Sequence, residues 1–271
     1  MSRRQKAWPR HVMPSDFGLL LLIAAAGALA SPLGGALGLV RKPTTLLLSV
    51  AVGFAAGVML ATFAFEMLPR ATDSASLPIA LIGFVVGFGL LYGLDLFIHR
   101  GVTAGEHAEQ RRWALRQSQR RNGRGDAVTV LAGGTSAEEV VEGLTIGVAA
   151  ATDPTLGAMV GLAIIIDNLA ESMSIGELVL ARHGPRPSRR IFFWTSLIGF
   201  SLFVSALAGW LLLRHLSPSA LGLLLAAGAG GMFYLTVTEL VPEAESHQFN
   251  QSAAIAMAAG FLLIFALSRV A

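Results

Sequence analysis

Residues 164–177 read IIIDNLAESMSIGE, an apolar run with Asp167, Asn168 and Glu171 set into its middle. The question it poses is why so apolar a chain places carboxylates there. Of 271 residues, 54% are hydrophobic and 14% charged, 30 are glycine, and the mean hydropathy is +0.65. The charges gather in short clusters between long apolar runs, a distribution far from that of soluble proteins. A helix needs roughly 20 apolar residues to cross the hydrocarbon core. By that measure the chain offers eight spans, at about 17–40, 44–67, 77–98, 128–151, 156–180, 191–213, 218–241 and 252–268. The expectation is an all-α integral membrane protein, one transmembrane domain over 1–271 with no room for a soluble domain. There is no cysteine, which excludes disulfides and thiolate metal sites.

Charge placement orients the spans. The connections after spans one, three, five and seven carry 2, 7, 4 and 0 Arg or Lys, and the opposite side, without the N-terminal tail, carries three. The positive-inside rule then puts both termini outside the cytoplasm of a cell (inner) membrane. Only Arg3, Arg4, Lys6 and Arg10 of the tail oppose this. The same tail, followed by FGLLLLIAAAG and Ala28-Leu29-Ala30, also has the form of a cleaved secretory signal. Against cleavage, the apolar run continues to Val40, and losing span one would place the arginine-rich connection outside. That connection, residues 99–127, is expected to be a basic cytoplasmic loop beside anionic lipid, with no nucleic-acid role. His99 and His107 within it are two histidines in a loop, too few to define a metal site. Small-residue helices such as residues 24–38, AAAGALASPLGGALG, permit close helix packing and leave room for a homodimer.

Two stretches repeat. GVMLATFAFEMLPRA (57–71) and GGMFYLTVTELVPEA (230–244) align without gaps at Gly57/Gly230, Met59/Met232, Glu66/Glu239, Pro69/Pro242 and Ala71/Ala244. In an eight-span chain spans two and seven run in opposite directions, so the match predicts an inverted repeat of helices 1–3 and 6–8 around helices 4–5. Such repeats let a transporter alternate between two faces.

The acids show a second repetition. Glu138, Glu139 and Glu142 in span four have the same i, i+1, i+4 spacing as Asp167, Asn168 and Glu171 in span five. Residues i and i+4 lie on one helix face, about 40° apart, and i+1 and i+4 are neighbours on the other flank. Facing helices would let Glu138, Glu142, Asp167 and Glu171 surround one cation. Glu139 and Asn168, with the two shared glutamates, would surround a second. An ionised acid near the bilayer centre costs roughly 2.5–3.5 kcal/mol, so five together oppose folding by about 10 kcal/mol before repulsion. Protons or a bound cation must offset this, and a multivalent cation does so best. A partly protonated, water-lined cluster that stabilises packing, or a proton relay without metal, are the readings that do not invoke a metal.

These motifs resemble those of the ZIP family of divalent-metal transporters, whose fourth and fifth helices carry His-Asn-x-Pro-Glu-Gly-like signatures. Here the corresponding residues are Glu138-Glu139-Val140-Val141-Glu142-Gly143 and Asp167-Asn168-Leu169-Ala170-Glu171-Ser172. The repeated stretches of spans two and seven resemble the family too, as do the eight-helix plan, the outside termini and the long loop after span three. The resemblance implies a transporter, with the divalent ion as substrate and Glu138, Glu139, Glu142, Asp167, Asn168 and Glu171 as its ligands. The sequence departs from the family where Glu138 and Asp167 replace histidine and where Val141 and Ala170 replace proline. Gly143, Gly147 and Ser172 then become the weak points for any kink. Span six lacks the acid some relatives supply and offers only Ser196, Ser201 and Ser205. An all-oxygen ligand set suits manganese, iron(II), magnesium or calcium better than the histidine sets that favour zinc, although zinc accepts carboxylates.

The expected path enters near Glu66 and Asp73 and leaves past Glu177, Glu239, Glu243 and His247, with Met59 as a soft ligand or a packing residue. Rocking of spans two and seven against four and five would switch access. The alternative is a membrane metal sensor or scaffold that binds the ion without flux. An enzyme is disfavoured, since no general acid or His-Glu-x-x-His motif accompanies the acids.

Overall fold

The computed structural model describes residues 14–40, 44–98, 127–181, 186–245 and 249–270. The basic 99–126 stretch, His99, His107, His247 and the N-terminal tail lie outside them. Among the described residues the regular structure is entirely helical, because a chain in lipid must satisfy its backbone polar groups within each segment. Eight helices follow in order: α1 (Pro14–Val40), α2 (Thr45–Ser74), α3 (Leu77–Ile98), α4 (Ala127–Thr152), α5 (Pro154–Ala181), α6 (Pro187–Leu213), α7 (Pro218–Glu245) and α8 (Asn250–Val270). Seven are long and apolar enough to cross a membrane. The eighth, α4, falls short by composition because Glu138, Glu139 and Glu142 sit in its middle.

The inverted repeat extends well beyond the fifteen residues in which it is readable. The first three helices start at 14, 45 and 77, and the last three at 187, 218 and 250, a constant shift of 173. The shift also takes one N-cap to the other. Thr44 Oγ1 accepts from the Leu47 amide at 3.2 Å, and Ser217 Oγ accepts from the Ala220 amide at 3.3 Å. It takes one close helix contact to the other as well. A Cβ on Gly57 of α2 would strike the Met257 carbonyl of α8, and one on Gly230 of α7 would strike the Phe84 carbonyl of α3. These glycines let backbones meet where side chains would hold them apart. The two halves run oppositely: the Ser49 hydroxyl near the start of α2 donates to the Ala244 carbonyl near the end of α7 at 2.9 Å.

Both α2 and α7 widen into a π-helical segment, Thr62–Met67 and Thr236–Leu240. The cause is local. Pro69 and Pro242 carry no N–H and release the carbonyl four residues earlier. In addition, the hydroxyls of Thr62 and Thr236 donate to Val58 and Met232 carbonyls at 2.8 and 2.7 Å. The helices therefore continue through their prolines to Ser74 and Glu245, where apolarity alone ends the spans at 67 and 241.

Helix contacts divide the bundle into two groups. In one, α1 packs on α5 and α6, and α4 on α5 and α6; in the other, α2 packs on α8 and α7, and α3 on α7. The groups meet along α2 with α5 and along α4 with α7. This juncture holds the acids.

Candidate metal centre

The α4–α5 hairpin turns on one residue, Asp153, whose carboxylate accepts from the Thr155 and Leu156 amides at 2.8 and 3.2 Å and so caps α5. Antiparallel pairing follows, and it brings the two acid motifs together in the interior. Glu138, Glu139, Glu142, Asp167 and Asn168 are each at least nine-tenths buried, and Glu171 is half-buried. The Asn168 amide donates to Glu139 Oε2 at 3.3 Å, joining the i+1 residues of the two motifs. The Thr135 hydroxyl, one turn before the α4 motif, donates to Glu171 Oε1 at 2.9 Å.

Glu142 Oε2, Asp167 Oδ1 and Asn168 Oδ1 are buried and have no hydrogen-bond partner. An unpaired buried acceptor costs about 1–3 kcal/mol and more when charged, and a hydrogen-bond donor or a cation offsets that cost. Carboxylate oxygens of Glu138, Glu171 and Glu239 lie within 4.8 Å of one another. Two oxygens each about 2.0–2.6 Å from a shared ion are separated by no more than roughly 4–5 Å, so this spacing suits one divalent cation.

The structure places the remaining sequence candidates as follows. Glu239, expected along the way out, lies with the central acids through the π segment of α7. Glu66 sits in the corresponding π segment of α2, buried, with Arg70 and Asp153 as its charged neighbours. Arg70 Nη1 meets Asp153 Oδ2 at 3.1 Å. Met59 is wholly buried in the apolar core. Asp73 is exposed, Glu177 half-buried and Glu243 buried.

Span six offers little to a metal. Ser205 Oγ lies against the carbonyls of Ser201, Leu202 and Glu139 at 2.7, 3.0 and 3.2 Å. The anticipated weak points of α4 are used for packing instead. Gly143 and Gly147 bring α4 against the α6 backbone, and both α4 and α5 are unbroken α-helices. Sequence reasoning missed Thr135 and the buried pair in which the Tyr234 hydroxyl of α7 donates to Asp95 of α3. Asp95 had a signal, being the sole charge inside span three.

With this geometry stand the comparisons with known proteins. A family model described as "ZIP Zinc transporter" matches residues 100–268. The chain belongs to the ZIP family. It is 30% identical over 255 residues to proteins named "Zinc transporter ZupT" from Salmonella paratyphi A, Salmonella newport and Salmonella schwarzengrund, covering 93% of this chain and 95% of each relative. ZIP membership makes the chain a multi-pass membrane protein and a transporter rather than an enzyme, and it agrees with the eight-helix fold.

Proposed function

We propose that this ZIP protein imports divalent metal cations across the inner membrane toward the cytoplasm, with the basic 99–127 connection on the cytoplasmic side and both termini outside. The observation that carries this reading is the set of unpartnered buried oxygens on Glu142, Asp167 and Asn168, in a chain whose relatives are named zinc transporters. Glu138, Glu142, Asp167 and Glu171 hold one ion. Glu139 and Asn168, with the shared Glu142 and Glu171, hold a second beside it. Glu239 receives the ion from Glu138 and Glu171 on its way to the cytoplasmic face. The pathway runs between the two helix groups, and their relative motion switches access.

The ligands are carboxylates and an amide, with no imidazole. Such oxygen sets suit manganese and iron(II), so the preference here shifts from zinc toward harder ions. Uptake by reconstituted vesicles tests both statements. Saturable manganese or iron(II) uptake resisted only weakly by equimolar zinc is expected. Dominant competition by zinc overturns the shift in preference, and ion binding without any flux assigns the chain to the sensor or scaffold reading.

A further inference from the structure

The two repeats of the chain can be applied to the acid cluster itself. A shift of 173 takes Glu66 of α2 to Glu239 of α7, and both sit in the π-helical segments. A shift of 29 takes Glu138 to Asp167 and Glu142 to Glu171. The counterparts of Glu138, Glu171 and Glu239 are therefore Asp167, Glu142 and Glu66. In a chain with internal twofold symmetry, three residues that assemble on one side of the centre have a twin triad on the other. Only one triad is assembled here. Glu239 stands with Glu138 and Glu171, whereas Glu66 lies outside that group, in the field of the Arg70–Asp153 ion pair.

Two further observations point to the missing assembly. Glu142 Oε2 and Asp167 Oδ1, the twin triad's members on the hairpin, are both at least nine-tenths buried and without a hydrogen-bond partner. Access also differs: in the assembled triad Glu138 is buried but Glu171 and Glu239 are half-buried, whereas Glu66, Glu142 and Asp167 are all buried. The Arg70–Asp153 ion pair ties α2 to the turn of the α4–α5 hairpin. Its partners are about a third exposed, and a surface pair of that kind opens readily.

We propose that Glu66 and Glu239 are alternate ligands for one divalent cation. In a second conformer, open at the end where Arg70 meets Asp153, Glu66 leaves those residues and joins Glu142 and Asp167, while Glu239 leaves Glu138 and Glu171. The exchange rests on the transport reading above. It makes each acid a ligand for one face of the membrane: Glu66 serves the face where α2 ends, and Glu239 the face where α7 ends.

Manganese flux in vesicles loaded from one side or the other tests this. Glu66→Gln should raise the half-saturating manganese concentration about tenfold or more for flux started from the face where α2 ends, and leave it within about twofold from the other face. Glu239→Gln should do the reverse, and Glu66→Asp should restore most of the loss. A Glu66→Gln effect equal from both faces, or absent from both, overturns the exchange while leaving transport standing. A wild-type chain with no flux from either face overturns the transport reading and this inference with it.

A second measurement is independent of flux. The chain has no cysteine, so the thiol introduced by Glu66→Cys is its sole reactive group of that kind. Zinc should slow thiol labelling of the Glu66→Cys protein in detergent, and adding Asp167→Asn should remove that protection. Labelling indifferent to zinc overturns the assignment.

Discussion

Helices α3 and α8 and helices α4 and α5 cross the same bundle under opposite demands. α8 buries Ala253, Ala256, Gly260 and Ile264 along one seam and turns Ile255, Leu262, Leu263 and Leu267 outward. α3 likewise presents Leu81, Ile82, Val85 and Leu90 to the outside. Both rest on apolar length and a seam of small residues, with Asp95 of α3 their one buried acid and its partner supplied by Tyr234 of α7. α4 and α5 turn their polar atoms inward and leave several unpaired. Among the described residues no buried polar side-chain atom of α3 or α8 lacks a hydrogen-bond partner, whereas the inner hairpin leaves such oxygens on Glu142, Asp167 and Asn168.

That contrast fails first, and most visibly, at Glu171. Glu171→Ala should remove saturable metal uptake by about 100-fold or more, because one substitution takes a ligand from both proposed ion positions. The variant should still elute as a folded species in detergent. Uptake near the wild-type rate would remove the hairpin from the pathway. Next in size, a divalent ion at about a hundredfold its Kd should stabilise the protein by about 2.7 kcal/mol. Thermal unfolding in detergent with and without metal reads this, and Glu142→Ala should abolish the difference.

The outer helices should respond to volume rather than to charge or metal. Gly260→Val drives side-chain atoms at the Phe54 carbonyl of α2 and should cost about 1–3 kcal/mol in the same melt, with or without metal. Thr135→Val removes the donor to Glu171 Oε1 and should weaken half-saturation about tenfold while barely moving the melt. Leu262→Ala, on the outward face of α8, should stay within about 0.5 kcal/mol and leave uptake unchanged. A large Leu262 effect would show that the outer face also packs against protein.

The outer helices were legible from hydropathy because lipid imposes one rule on every outward position. The hairpin was legible for a different reason: six polar residues in two apolar runs at matching spacing have few structural uses. Glu239 was harder to place. Its position among the acids depends on how α7 meets α4 across the bundle, and nothing local in TVTELVPEA encodes that contact. The repeat was visible over residues 57–71 because a close-contact glycine, the π-segment glutamate and the proline that follows it all fall within that stretch. Elsewhere apolar residues substitute freely, so only the backbone retains the constant shift of 173. Thr135 escaped notice because a threonine in a helix usually bonds its own backbone, as Thr145 does to Val141.

The paired π-helical segments at Thr62–Met67 and Thr236–Leu240 carry a mechanical consequence. A π turn followed by a proline is where an α-helix bends. Two such points at matching positions, each holding a glutamate before a proline, give α2 and α7 the same place at which to flex.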